Sequence, residues 1–264
     1  SPAGRIARGP RPGCRALGAA ADFHHGLPDP PPRARVVDGS FGRGLKLPGL
    51  SIIAEIKRRS PSKGDLTLSL DALETARAYA RGGAAAISCL SDRTFFGARS
   101  EDFNQVRMAG LPVLRKDFII DEIQIDESVR MGASAILLIA RILSPGRLEA
   151  LLSHATRCGL DVLVEVHDEA EIDTALEASA SIIGVNNRDL ATLNVDPDLS
   201  YRLRPRIPPG VVSVAESGIR TRDDLRRIED AGFDAALIGE TLVKSSDPSA
   251  TLMELTGRGA EQAS

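Results

Sequence analysis

The sequence predicts an α/β fold in which eight parallel strands close into a (β/α)8, or TIM, barrel behind a poorly structured N-terminal leader. Three observations predict it. From Leu50 onward, short aliphatic runs alternate with longer amphipathic stretches. Eight such pairs recur at roughly 20 to 30 residues each, the unit size of barrels that use about 250 residues as one domain. The segments RGGAAA, RMGASA and DAGFDA each join a helix end, a Gly turn and the entry to the next strand. A doubly wound sheet is the main rival, but it normally opens on a Gly-rich dinucleotide loop, and no GxGxxG follows the first strand.

Strands are expected at SIIAEI (51–56), AAISCL (85–90), PVLRK (112–116), SAILLIA (134–140), DVLVEV (161–166), SIIGVN (181–186), VVSVAE (211–216) and DAALIG (234–239). Between them, DALETARAYARGG, DEIQIDESVRMGA, SPGRLEALLSHATRCG and TRDDLRRIEDAG read as helices, several closing on Gly after a charged last turn. Residues 1–45 form a Pro/Gly/Arg-rich stretch without an acidic residue before Asp22, expected as a flexible leader. A transit peptide shares its Arg-rich, acid-poor character, but the stretch has little Ser and no convincing amphipathic helix. The barrel is expected over 46–258 and a short tail over 259–264; because the chain does not open on Met, its natural start is expected upstream.

Composition excludes several function classes. A net charge of -3 and a pI near 5.9 give no basic field to recruit nucleic acid or a membrane. No apolar run approaches the ~20 residues needed to cross a bilayer. Cys14, Cys89 and Cys158 are odd in number and widely spaced, and they form no zinc-like pattern with the four histidines. A cytoplasmic protein, monomeric or a weak homodimer, is expected. With 42% hydrophobic but only 3% aromatic residues, the core must be aliphatic.

Chemistry in such barrels gathers at the C-terminal strand ends, whose loops converge on one mouth. Those ends supply Glu55 and Lys57, Lys116, Glu165, Asn186 and Arg188, Glu216 and Ser217, and Gly239. Side chains at i and i+2 share a strand face, so Glu55 and Lys57 point the same way. A lone charge at a strand end is more often a solvated rim residue, but unpaired buried charge is costly. Several converging carboxylates and ammoniums therefore read as a site, in which Arg188 alone is also compatible with a structural clamp. SPSKG after the first strand, ESG after the seventh and IGE after the eighth bring small residues where backbone N–H groups can meet an anion.

Together, IAEIKRRSPSKG, PVLRKDFI, AILLIA, LVEVHD, IGVNNRDL, VAESGI and ALIGETL resemble indole-3-glycerol phosphate synthases, in family order across roughly residues 50 to 245. The resemblance implies closure of an indole ring from 1-(2-carboxyphenylamino)-1-deoxyribulose 5-phosphate, with loss of carbon dioxide and water and without metal or organic cofactor. It implies Lys116 as general acid, Lys57 as holder of the substrate carboxylate, and Glu165 as a second proton-transfer group. Glu55, Asn186 and Glu216 match positions that orient the lysines and sugar hydroxyls, and Arg188 matches one near the site. Ser60, Gly218, Gly239 and Glu240 match phosphate-loop positions, Glu240 through its backbone N–H. Phe118, Leu137, Leu190 and Leu237 fit either an apolar wall for the aromatic ring or plain core packing.

Two departures stand out. The family usually carries an amphipathic N-terminal helical extension, where this chain has its Pro/Gly/Arg-rich leader. The loop after the second strand, SDRTFFGARSEDF, has Ala98 and Arg99 where the family often has Gly-Ser. Two other readings compete. A phosphoribosylanthranilate isomerase uses a Cys/Asp pair, and no Cys ends the first strand. A non-catalytic anion-binding barrel is suggested by the altered leader alone.

Overall fold

The structure, a computed structural model, describes residues 39–257. The tail at 259–264 and most of the leader lie outside the described residues. Eight parallel strands form the barrel: β1 (Ser51–Ile56), β2 (Ala86–Leu90), β3 (Val113–Lys116), β4 (Ala135–Ile139), β5 (Asp161–Val166), β6 (Ile182–Asn186), β7 (Val212–Glu216) and β8 (Ala235–Ile238). Each pairs with its sequence neighbours, and β8 closes on β1 through the register Ser51↔Ala235 to Ala54↔Ile238. The strands are short and aliphatic because both faces are buried, one against the helices and one in the barrel interior.

The helices outside pack on one apolar layer, with Ala76, Tyr79, Leu148, Leu151, Ile172 and Leu225 among its members. Local sequence sets their starts. Asp71 caps α2 (Ala72–Arg81) by accepting the Glu74 N–H, and Asp121 with Gln124 forms a capping box on α5 (Glu122–Met131). Pro145 opens α6 (Pro145–Arg157), where its missing N–H costs nothing.

Inside the barrel, a second cluster stacks Ile53, Leu114, Ala135, Leu137, Leu163, Ile182, Val212, Val214 and Leu237. Phe41 and Leu45 belong to it. They sit on α1 (Ser40–Leu45), a helix within the last residues of the stretch read as a leader, and both are wholly buried. The Gly42 N–H donates to the Asp161 carboxylate at 2.9 Å, tying α1 to the start of β5. Among the described residues the N-terminal end of the barrel is thereby plugged, and the main cavity lies at the C-terminal end. No helix among the described residues is long and apolar enough to cross a membrane.

Candidate active site

The period of two along each strand builds the site. Moving two residues on from the inner aliphatic layer, Ile53 leads to Glu55, Leu114 to Lys116 and Leu163 to Glu165. In the same way Gly184 leads to Asn186, Val214 to Glu216 and Leu237 to Gly239. The last inward position of these strands is therefore polar or glycine, above layers that are almost entirely aliphatic.

Lys116 is the hub. Its Nζ lies 2.8 Å from Glu216 Oε2, 3.4 Å from Glu55 Oε2 and 4.0 Å from Glu165 Oε2. Burial would lower its pKa, but the three carboxylates outweigh that and hold it above the ordinary lysine range. Lys57 Nζ meets the other Glu55 oxygen at 2.6 Å. Burial would raise the Glu55 carboxyl, yet the Lys57 and Lys116 ammoniums bring it down to about 2.

The other two acids part company. Glu216 is pushed up to about 7, first by burial and then by Glu165 and Glu55, with Lys116 opposing. Its Oε1 has no hydrogen-bond partner among the described residues. Glu165 ends below the ordinary range: burial raises it, but His167, Lys116 and the Asn186 amide together do more. Asn186 also accepts the Arg188 N–H at 3.0 Å. Arg188 reaches Ser62 Oγ at 3.1 Å and the Leu193 carbonyl at 2.9 Å, so it clamps the loop after β6 to the loop after β1.

That first loop is a small antiparallel ribbon, Arg59–Ser60 against Gly64–Asp65, which holds Ser60 and Ser62 within 3.0 Å of each other. Arg58 anchors it from below, bonded to Asp102 at 2.5 Å and to the Leu70 carbonyl. After β7 the chain turns through Ser217 and Gly218, both left-handed, at φ 66 and 84. Lys244, at the end of α10 (Glu240–Val243), pairs with Glu240 at 2.6 Å. A cavity of about 640 Å³ lies over all of this. Phe96 and Phe118 stack on its rim, with ring centroids 6.4 Å apart.

Of the residues singled out in the sequence, Glu55, Lys57, Ser60, Lys116, Phe118, Leu137, Glu165, Asn186 and Arg188 line the cavity. Leu190, Ser217, Gly218, Leu237, Gly239 and Glu240 line it too. Glu216 does not: it lies beneath Lys116, with its side chain 1% exposed. Leu137 and Leu237 each belong to the inner core and also face the cavity.

A family model for indole-3-glycerol phosphate synthase matches residues 44–255. The chain belongs to the indole-3-glycerol phosphate synthase family. It is 51% identical over 218 residues to indole-3-glycerol phosphate synthase 2 of Streptomyces coelicolor, covering 82% of this chain and 84% of that one. It is 52% identical over 210 residues to the synthase of Chlorobium phaeovibrioides, covering 78% and 81%. Solved structures add the fold alone. A thiamine phosphate pyrophosphorylase from Pyrococcus furiosus superposes with a TM-score of 0.60 at 17% identity, over 80% of this chain and 96% of that one.

Within this synthase-family barrel, sequence reasoning passed over four contributors. His167 follows Glu165 by two residues, the spacing that puts both on one side. Phe96 sits in the TFFGA turn after β2, where an aromatic in a Gly-containing loop was the signal. Gly184 interrupts β6, and a strand glycine marks a close approach; a Cβ there would collide with Glu216 Oε1. Arg58 was hidden beside the more conspicuous Lys57.

Proposed function

We propose that the chain is an indole-3-glycerol phosphate synthase, closing the five-membered ring of 1-(2-carboxyphenylamino)-1-deoxyribulose 5-phosphate. The observation that carries this reading is Lys116, an ammonium ringed by three carboxylates at the floor of a cavity with an apolar wall and loops suited to an anion. Ring closure requires a proton donor at the ketone oxygen as the ring carbon attacks it. Lys116 fills that role and stabilises the developing oxyanion. Lys57, tethered by Glu55, holds the aryl carboxylate until it leaves as carbon dioxide.

Dehydration follows: one proton leaves the carbon next to nitrogen, and another departs with the hydroxyl as water. Glu165, within reach of Lys116, exchanges a proton in this step. Because a carboxylate is lost as neutral carbon dioxide, each turnover consumes one proton overall. The phosphate sits against the backbone N–H groups of Gly218 and Gly239–Glu240, with Arg188, Ser60 and Lys244 at its edge. Phe96, Phe118 and Leu190 cover the aromatic ring.

The test is the appearance of indole absorbance and fluorescence from the carboxyphenylamino substrate. Lys116→Ala is expected to cut kcat by roughly 10²–10⁴-fold, the usual contribution of a positioned general acid. Substrate binding without product in the wild-type protein, or full activity in Lys116→Ala, would sink the reading.

A further inference from the structure

Three acids surround a single ammonium at the centre of the site, and the ammonium serves them unequally. Lys116 Nζ is 2.8 Å from Glu216 but 4.0 Å from Glu165. Lys116 is thus committed chiefly to Glu216, and a second cation serves Glu165. His167 lies two residues beyond Glu165 and is as deeply buried, each side chain 2% exposed. Its Nε2 faces Glu165 Oε1 at 3.4 Å and makes no hydrogen bond among the described residues.

The ring cannot turn away, because it is held from behind. Nδ1 lies 3.1 Å from Glu171 Oε2, and the same oxygen accepts the His167 backbone N–H at 2.7 Å. Glu171 stands in the first turn of α7 (Glu169–Glu177), where its own N–H donates to Asp168. Its other oxygen takes the Arg141 guanidinium at 2.6 Å. Arg141 in turn meets Asp168 at 3.3 Å and Asp189 at 3.1 Å. A separate cavity of about 240 Å³, lined by Arg141, Asn187, Asp189 and Asp196, touches the ring from outside the main site. The charged groups facing His167 are thus Glu165 on the strand just before it, Glu171 from α7, and the Arg141–Asp189–Asp196 group across that outer cavity.

We propose that His167 is a positioning residue for the ring-closing reaction: clamped by Glu171, it presents Nε2 to Glu165 and holds that carboxylate as the base of the site. The arrangement sorts protons among the three acids. Glu55 faces two ammoniums and stays ionised. Glu216 shares Lys116 with other carboxylates, lies over Gly184 with one oxygen unpartnered, and takes up a proton first. Glu165 is buried as deeply, but the imidazolium keeps it ionised and ready to accept the carbon-bound proton during dehydration. The ring is suited to the task, since two flanking carboxylates hold it charged, with its pKa raised to about 9 despite burial.

The inference rests on the synthase reading, and its test separates the two. The direct arm is nitrogen NMR of the His167 ring in the intact protein. Both ring nitrogens are expected to be protonated at neutral pH, and Glu165→Gln should lower the titration midpoint by about one pH unit or more, the effect of removing a close opposite charge. The kinetic arm is the pH profile of kcat/KM. His167→Gln should move its acidic limb upward by about one unit, because Glu165 loses its cation, with KM changed by less than about twofold. Glu171→Gln, which loosens the clamp but keeps the ring, should move the limb the same way by less, and it keeps the test alive if His167→Gln folds poorly. If the ring titrates identically with and without the Glu165 carboxylate, or the variant profiles superpose on wild type, the proposal falls. If the wild-type protein makes no indole product, the synthase reading fails instead, and the NMR arm still decides this one.

Discussion

At Gly239 the backbone of β8 passes so close to Glu55 that a Cβ would collide with its Oε1 and stand 3.1 Å from Lys57 Nζ. Its φ of -121 is not left-handed, and the demand for glycine here is one of space. Gly239→Ala is therefore expected to push Glu55 and Lys57 aside, not to unfold the barrel. A displacement of about 1 Å costs on the order of 10²-fold in turnover. Steady-state kinetics should show that loss with a nearly unchanged Tm, and an alanine variant of wild-type activity would refute the close-approach argument. Much of the residue-scale site was legible because it obeys a simple alternation: a charged side chain two positions after a buried aliphatic one stands out in any strand. Gly239 stood out for its place in a turn whose sequence suits an anion, while its collision with Glu55 is a distance between β8 and β1 that no local pattern contains. His167 and Gly184 were missed for that reason, as their meaning lies in what crosses over them from other strands and helices.

The element whose role was hardest to read is α1. Its segment, SFGRGL, has two glycines in six residues, and the Pro/Gly/Arg-rich composition around it averages out the signal. What remained was Phe41 and Leu45, four apart and so on one helical face, but a single turn seldom declares itself. The strands were legible to within about a residue because each is an aliphatic run buried on both sides. α1 owes its stability to the barrel it closes. Replacing the fully buried Phe41 with Ala should cost about 3–5 kcal/mol in urea unfolding, the usual range for Phe→Ala in a core. Substrate KM should hardly move, since the plug and the cavity occupy opposite ends of the barrel. A loss below about 1 kcal/mol would show that the N-terminal end collapses without its plug. The loop after β2 is a second case. Arg99, where the family often has Ser, donates its backbone N–H to Asp102 and its guanidinium to the Leu68 carbonyl. The substitution thus adds a tie between the first and second loops.

Across the whole molecule, the site leaves a signature in stability against pH. The surface carboxylates Glu122, Asp189 and Asp196 are held below their ordinary values by hydrogen bonds, from the Arg147 side chain, the Thr192 backbone and the Arg202 side chain respectively, so their contribution is complete by about pH 5 and is lost only in acid. Glu55, brought down to about 2, behaves the same way. Glu216 and His167 have the opposite sign. Glu216 keeps its proton to about pH 7 in the folded protein, against 4.5 in the free residue, so its stabilisation is full below about 4.5 and fades as pH rises through 7. His167, raised from 6.5 to about 9, stabilises fully below 6.5 and loses that contribution as pH rises through 9. The folded chain therefore binds more protons than the unfolded one between pH 5 and 9, and stability must fall across that window. Each pH unit of offset is worth about 1.4 kcal/mol, or about 3–6 °C in Tm for a domain of this size. Thermal scans should show wild-type Tm declining from pH 5 to 9. Glu216→Gln should flatten the lower half of the decline and His167→Gln the upper half. A Tm that stays level or rises over this range in the wild-type protein would mean that the buried acids and imidazole do not hold the extra protons assigned to them.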